Sequence, residues 1–334
     1  MKKPGSPNAI DFQHLSRLYK SEVERRLTAL VKRKEPASVY EPLRYVIGGG
    51  GKRLRAILVL LSCEAVGGKA RNALDAAAAI EILHNFTLVH DDVMDHATVR
   101  RGRPTMHKKW DENVAILAGD ELVALAYRSL LKSKSRRLEE AMGIFTEAFV
   151  EVCEGQGLDK EFEARRDVHL RDYLLMIRKK TATLIAASAE IGAVIGGGTW
   201  LECSALRKYG EHLGRAFQIK DDLLDIEGTE REFGKTIGAD MMEGKKTYVF
   251  LKALELVRGE ERVFLLSLAK RKLVTLSALR RVQDIYDRAG VFDSAREEIA
   301  RSTEQAKRSI GGLRPTVAKE MLLWLSCQLL RRSS

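Results

Sequence analysis

Between Ala73 and Asp95 the chain runs without a glycine or proline, is rich in Ala, Ile and Leu, and closes on Asp91-Asp92-Val93-Met94-Asp95. Such a stretch reads as one long helix, because nothing in it breaks the backbone pattern and alanine and leucine favour helix strongly. A helix this apolar must be covered on most sides, so the rest of the chain has to wrap it. Three carboxylates ending such a helix need a specific reason.

The remaining sequence has the same character. From Phe12 to Lys34, Leu15, Leu18, Val23, Leu27, Leu30 and Val31 recur at spacings of three and four. Gly48 to Gly51 break the chain, Lys52 to Val66 reads as helix, and Gly67-Gly68 end it. Thr98 to Pro104 reads as a basic loop. Helical pattern resumes near Val114, with breaks expected at Ser133 to Ser135, Gly155 to Gly157, Gly196 to Gly198, Gly228 to Lys245 and Gly311 to Pro315. No convincing period-2 segment appears. Aromatics are 6% and prolines six, which also disfavours strands. The expectation is an all-α chain of ten or more helices, with residues 1–10 a disordered tail and 11–334 a single domain.

Net charge is +11, with no run of five basic residues. Nucleic acid, an anionic membrane surface or a highly anionic small substrate could each suit that charge. No nucleic-acid-binding motif is recognisable. Leu184 to Gly198 contains Glu190 and is too short to span a bilayer, and no apolar segment of signal-peptide type follows Met1. Cys63, Cys153, Cys203 and Cys327 lack C-x-x-C spacing and read as buried, reduced thiols. A cytoplasmic protein without a transmembrane segment is expected.

Asp91 and Asp95 are i and i+4, on one helix face about 5–6 Å apart at Cβ, where like charges repel unless a cation sits between them. The pattern recurs at Asp221-Asp222-Leu223-Leu224-Asp225, again after an apolar run. Two helices presenting the same chemistry toward each other would hold hard cations. Oxygen ligands select Mg²⁺, Mn²⁺ or Ca²⁺ over zinc, and Mg²⁺ leaves most of its positions to water and phosphate oxygens. The cationic groups expected beside a diphosphate are present. Lys52 and Arg55 share a face at a helix start, where backbone N–H groups also favour an anion. Arg100 and Arg101 follow the first motif, and Lys235 and Lys245 sit in glycine-rich segments. His84 lies two turns before Asp91 and could donate to a phosphate. Two anion sites follow: one bridged by metal, one held by side chains.

The segment Ile80 to Asp95 with Arg100-Arg101-Gly102 resembles the first aspartate-rich region of trans-prenyl diphosphate synthases, and Phe217 to Asp225 resembles the second. The likeness runs from about Tyr45 to Phe250, with the motifs in the family's order. Ala56 stands where the family commonly has proline, a change that a first helical turn tolerates. The resemblance implies an all-α bundle of isoprenoid synthase type around a deep central cavity, usually a homodimer. It implies Mg²⁺ on Asp91, Asp95 and Asp221, supported by Asp92, Asp222 and Asp225, with three ions once substrate is bound. It places isopentenyl diphosphate on Lys52, Arg55, His84 and Arg101. It places an allylic diphosphate (dimethylallyl, geranyl or farnesyl) on Arg100, Lys180, Lys235 and Lys245. Lys180, Thr181 and Gln218 would flank the developing carbocation.

A growing chain would point along the helix that carries Asp91. Phe86 is five residues earlier, about 7.5 Å along the axis, and would stop long products; Thr87 beside it leaves room. This pattern resembles a geranylgeranyl (C20) synthase, with farnesyl (C15) or longer products as alternatives. A terpene cyclase of the same fold would carry a different second motif. A non-catalytic subunit would usually lose one aspartate motif, and this chain keeps both.

Overall fold

The computed structural model describes residues 11–227, 238–268 and 275–331. The expected tail, residues 1–10, and Lys235 lie outside the described residues. In chain order the helices are α1 (Phe12–Leu30), α2 (Ala37–Ile47), α3 (Leu54–Ala65), α4 (Ala70–Met94), α5 (Met106–Lys109), α6 (Glu112–Leu130), α7 (Leu138–Ala164), α8 (Leu170–Ile177), α9 (Thr183–Ile195) and α10 (Trp200–Glu227). There follow α11 (Ala239–Met242), α12 (Tyr248–Leu256), α13 (Gly259–Leu268), α14 (Leu276–Arg288), α15 (Val291–Ser309) and α16 (Val317–Arg331). Arg178–Ala182 forms a π turn linking α8 to α9. Among the described residues the strands are a two-residue pair, β1 (Val99–Arg100) and β2 (Arg103–Pro104). No described helix is long and apolar enough to cross a membrane.

The chain divides into two compact units. The first holds residues up to Met142 with Ile191–Trp200 and Leu313–Trp324. Its centre is α3 and α4. Ala56 to Cys63 are all buried on α3, and Ala76 to Leu83 on α4, so both helices are covered nearly all round. Gly192 permits a close crossing there, since a Cβ would stand 2.2 Å from the Val59 carbonyl oxygen. The second unit holds Gly143–Glu190, Leu201–Gly312 and the segment from Leu325. Its core joins Tyr173, Ile219, Leu223, Tyr248, Val282, Tyr286 and Ile299 with their neighbours.

Four expectations need correction. The helix α2 lies in a segment that carried no helical assignment. The basic loop is a β-hairpin: Arg101 and Gly102 at its tip have φ of 52° and 71°, the positive values a tight type I′ turn requires. Gly155 to Gly157 do not break the chain, because α7 runs through them; Gly155 serves packing instead. Cys153 is exposed, although Cys63 and Cys203 are buried, and none of the four cysteines is in a disulfide.

Candidate active site

In the first unit, α4 delivers its carboxylates and then stops. His96 takes φ of 52°, and the N–H groups of His96 and Ala97 return to the carbonyls of Val93 (3.2 Å) and Asp92 (3.0 Å). This is a Schellman closure with histidine where glycine is usual. Asp91, Asp92 and Asp95 therefore sit where the helix dipole is negative, and no basic residue lies in that last turn. Carboxylates there oppose the helix dipole, and cations close to them offset that cost. Asp91 and Asp95 are half-buried, while Asp92 is buried and accepts from Arg100 Nε at 2.7 Å. The hairpin thus returns Arg100 to the motif that precedes it.

The tip of the same hairpin carries Arg101, which donates to the Gly50 carbonyl. Its guanidinium lies over Gly51, where a Cβ would stand 3.0–3.1 Å from it, and Gly51 has φ of 132°. The positive φ of Gly51, more than that contact, is what favours glycine at this position. In Lys52-Arg53-Leu54-Arg55 the roles separate by direction. Arg53, at φ 52°, turns inward and pairs with buried Glu81 at 3.0 Å. Lys52 is exposed, and Arg55 Nη1 donates to His84 Nε2 at 3.2 Å. Burial brings the Arg55 guanidinium down to about 10, so it stays charged at neutral pH. Burial, then the surrounding arginines, hold His84 well below the ordinary histidine value. A neutral His84 accepts from Arg55 at Nε2 and keeps Nδ1–H as a donor. Arg55 and Arg101 thus lie beside His84, a neutral donor, while Lys52 stands exposed three residues before Arg55.

Phe86 is buried, and its ring meets that of His90 with centroids 4.5 Å apart. Thr87 is half-buried, and its hydroxyl turns back to the His84 carbonyl at 2.8 Å.

In the second unit, Asp221, Asp222 and Asp225 lie near the C-terminal end of α10, again without a basic residue in the last turn. Asp221 is exposed. Asp222 is 2% exposed and accepts from the Tyr173 hydroxyl (2.6 Å), Gln218 Nε2 (3.0 Å) and the Tyr248 N–H (2.8 Å). Burial, then the nearby Asp240 charge, push Asp222 up to about 7, while those three hydrogen bonds oppose the shift. Asp222 is therefore held as an internal anchor. Gln218 Oε1 accepts from the Thr181 hydroxyl at 2.8 Å, so Thr181, Gln218 and Asp222 form one relay. Lys180 donates to Asp159 at 2.6 Å. Both Lys180 and Thr181 sit on the π turn. A Cβ on Gly155 would stand 2.3 Å from the Lys180 backbone nitrogen, so glycine there lets α7 touch that turn. Lys245 reaches Glu243 at 2.6 Å and lines a concavity with Asp225, Thr247 and Phe250.

Among the described residues no three His, Cys, Asp or Glu side chains converge to hold a metal ion by themselves. Mg²⁺ in general takes one or two carboxylates and completes its shell with water and phosphate oxygens. The donors present are all carboxylate oxygens.

Sequence reasoning missed Tyr173, Tyr248, Asp159 and Asp240. A signal existed for two of them: Tyr173 is two turns before Lys180, and Tyr248 follows Gly244-Lys245-Lys246-Thr247 directly.

Residues 36–286 match the family model described as polyprenyl synthetase. The chain is 38% identical over 327 residues to the short chain isoprenyl diphosphate synthase of Methanothermobacter thermautotrophicus, covering 97% of this chain and 99% of that protein. It is 40% identical to the geranylgeranyl pyrophosphate synthase of Geoglobus acetivorans, over 93% of this chain and 96% of that one. The solved geranylgeranyl pyrophosphate synthetase of Pyrococcus horikoshii superposes with a TM-score of 0.92 at 33% identity, covering 97% of this chain and 100% of that one. The chain belongs to the polyprenyl synthetase family.

Proposed function

We propose that the chain condenses isopentenyl diphosphate head-to-tail with an allylic prenyl diphosphate, releases diphosphate and stops at C20, geranylgeranyl diphosphate. The observation that carries this reading is the pairing of two opposite chemistries: carboxylates at the C-terminal ends of α4 and α10, and a compact cationic cluster around Arg55 and His84. The first suits a metal-bridged diphosphate and the second a diphosphate held without metal. Family membership and relatives named for the C20 product support the same reading.

In this reading Asp91, Asp95 and Asp221 hold Mg²⁺, three ions with the allylic diphosphate bound, and Asp225 assists. Bound there, Mg²⁺ would supply positive charge where the leaving diphosphate becomes negative. Asp92 positions Arg100, and Asp222 positions Gln218. Arg100, Lys180, Lys235 and Lys245 add charge around the same leaving group. Thr181 and Gln218 present oxygens beside the electron-poor allylic carbon. Lys52, Arg55, His84 and Arg101 orient isopentenyl diphosphate so that its alkene attacks that carbon as the allylic C–O bond breaks, after which a proton passes to the departing diphosphate. Phe86 stops the tail, with Thr87 leaving space beside it. Ile116, Leu117 and Leu131, 46%, 52% and 58% exposed, suit a homodimer contact. Four cysteines outside disulfides suit a reducing compartment such as the cytoplasm.

Incubation with isopentenyl diphosphate, Mg²⁺ and each allylic primer in turn tests this, with dephosphorylated products read by chromatography. A C20 product is expected. A hydrocarbon formed from geranylgeranyl diphosphate alone would show a cyclase instead.

A further inference from the structure

His90 occupies a notch that α6 leaves open for it. A Cβ on Gly119 would stand 2.0 Å from His90 Nε2 and 2.5 Å from its Cδ2, so the ring fits there only because position 119 has no side chain. Nε2 also lies 3.4 Å from the Ile116 carbonyl oxygen on the same helix. One turn earlier on α4, the Phe86 ring rests against His90, with centroids 4.5 Å apart and planes inclined at 58°. Phe86, His90 and Gly119 therefore form a line of contact from the proposed chain stop to the backbone of a neighbouring helix.

We propose that His90, seated against Gly119, is the positioning residue that holds the Phe86 ring in place and so fixes product length. The inference rests on the reading of Phe86 as the chain stop. A ring held by its own rotamer alone can turn aside as an apolar tail presses on it. A ring backed by a second ring, which is itself stopped by helix backbone, cannot. Phe86 and His90 are i and i+4 and share a helix face, whereas Asp91 lies about 100° further round. His90 is thus separable from the carboxylate chemistry beside it.

The test compares His90→Ala, Gly119→Ala, the double variant and Phe86→Ala with wild type. It reads product length, KM for isopentenyl diphosphate and a urea transition for each. In His90→Ala the main product lengthens by at least one five-carbon unit, with KM unchanged. Gly119→Ala drives the ring from its notch and alters the product distribution. In the His90→Ala background it adds nothing, because no ring remains to displace. A wild-type product from folded His90→Ala, alongside lengthening in Phe86→Ala, overturns the proposal. An unchanged product in Phe86→Ala removes the chain-stop reading and the proposal with it. Should His90→Ala fail to accumulate, Gly119→Ala carries the test, and a wild-type distribution from that variant overturns the proposal.

Discussion

A methyl group at position 155 would act on Lys180 and Thr181 without touching either side chain. In Gly155→Ala the new Cβ would lie 2.3 Å from the Lys180 nitrogen, 2.6 Å from its Cα and 2.8 Å from the Lys179 carbonyl carbon. Those atoms are backbone, so no side-chain rotation relieves the clash. Ordinary contact begins near 3.4 Å, and α7 and the π turn must therefore separate by about 1 Å. Overpacking of this kind costs about 1–3 kcal/mol. Alanine recovers about 1 kcal/mol over glycine within a helix. The net loss of stability is then about 0–2 kcal/mol, which a folded protein of this size tolerates. Catalysis should suffer more, since displacing a catalytic group by about 1 Å costs on the order of 100-fold in rate. The assay is kcat at saturating concentrations of both substrates, paired with a urea transition and KM for isopentenyl diphosphate. A fall of about 100-fold in kcat, with that KM unchanged, is expected. Wild-type kcat in a folded variant would refute the claim that Gly155 sets the π turn. So would an activity loss explained fully by unfolding.

Other residues give independent tests. Phe86→Ala should lengthen the product beyond C20, read by chromatography after dephosphorylation. Arg53→Ala leaves buried Glu81 without the partner now 3.0 Å away, and breaking a buried pair costs about 3–5 kcal/mol; a urea transition shifted to much lower concentration with unchanged slope would show it. His84 is held below its unfolded value by burial and arginines, so the unfolded chain binds its proton first and native stability falls as pH drops through about 6.5. His84→Gln should remove that part of the acid sensitivity while matching wild type at pH 8, read as Tm at each pH. Asp91→Asn should lower Mg²⁺-dependent turnover by on the order of 100-fold or more, while isopentenyl diphosphate binding in chelator stays intact.

Much of the architecture was legible because burial leaves a plain mark. The helix α4 shows in sequence as an unbroken apolar run, and its end is where the carboxylates begin to cost energy. The inward turn of Asp222 went unread, since its place in the motif set it among the metal carboxylates, although a signal for it was present. It falls between Ile219 and Ile226 at spacings of three and four, which is the buried stripe of α10. What escaped was tertiary. Gly155 reads locally as a breaker, and only the close approach of Lys180 shows why a helix keeps it. The π turn has no local signature, since Arg178 to Ala182 contains good helix formers. The hairpin of Val99 to Pro104 is too short for periodicity to register. Asp159 and Asp240 are ordinary residues until their partners are known.

In the proposed function one diphosphate is held through metal and the other by side chains alone. Equilibrium binding to the intact chain, in Mg²⁺ and then in excess chelator, tests that division most directly. The ligands are isopentenyl diphosphate and an unreactive allylic diphosphate analogue. Chelator is expected to abolish binding of the allylic analogue and to leave isopentenyl diphosphate bound on Lys52, Arg55, His84 and Arg101. Loss of both ligands in chelator, or retention of both, would contradict it.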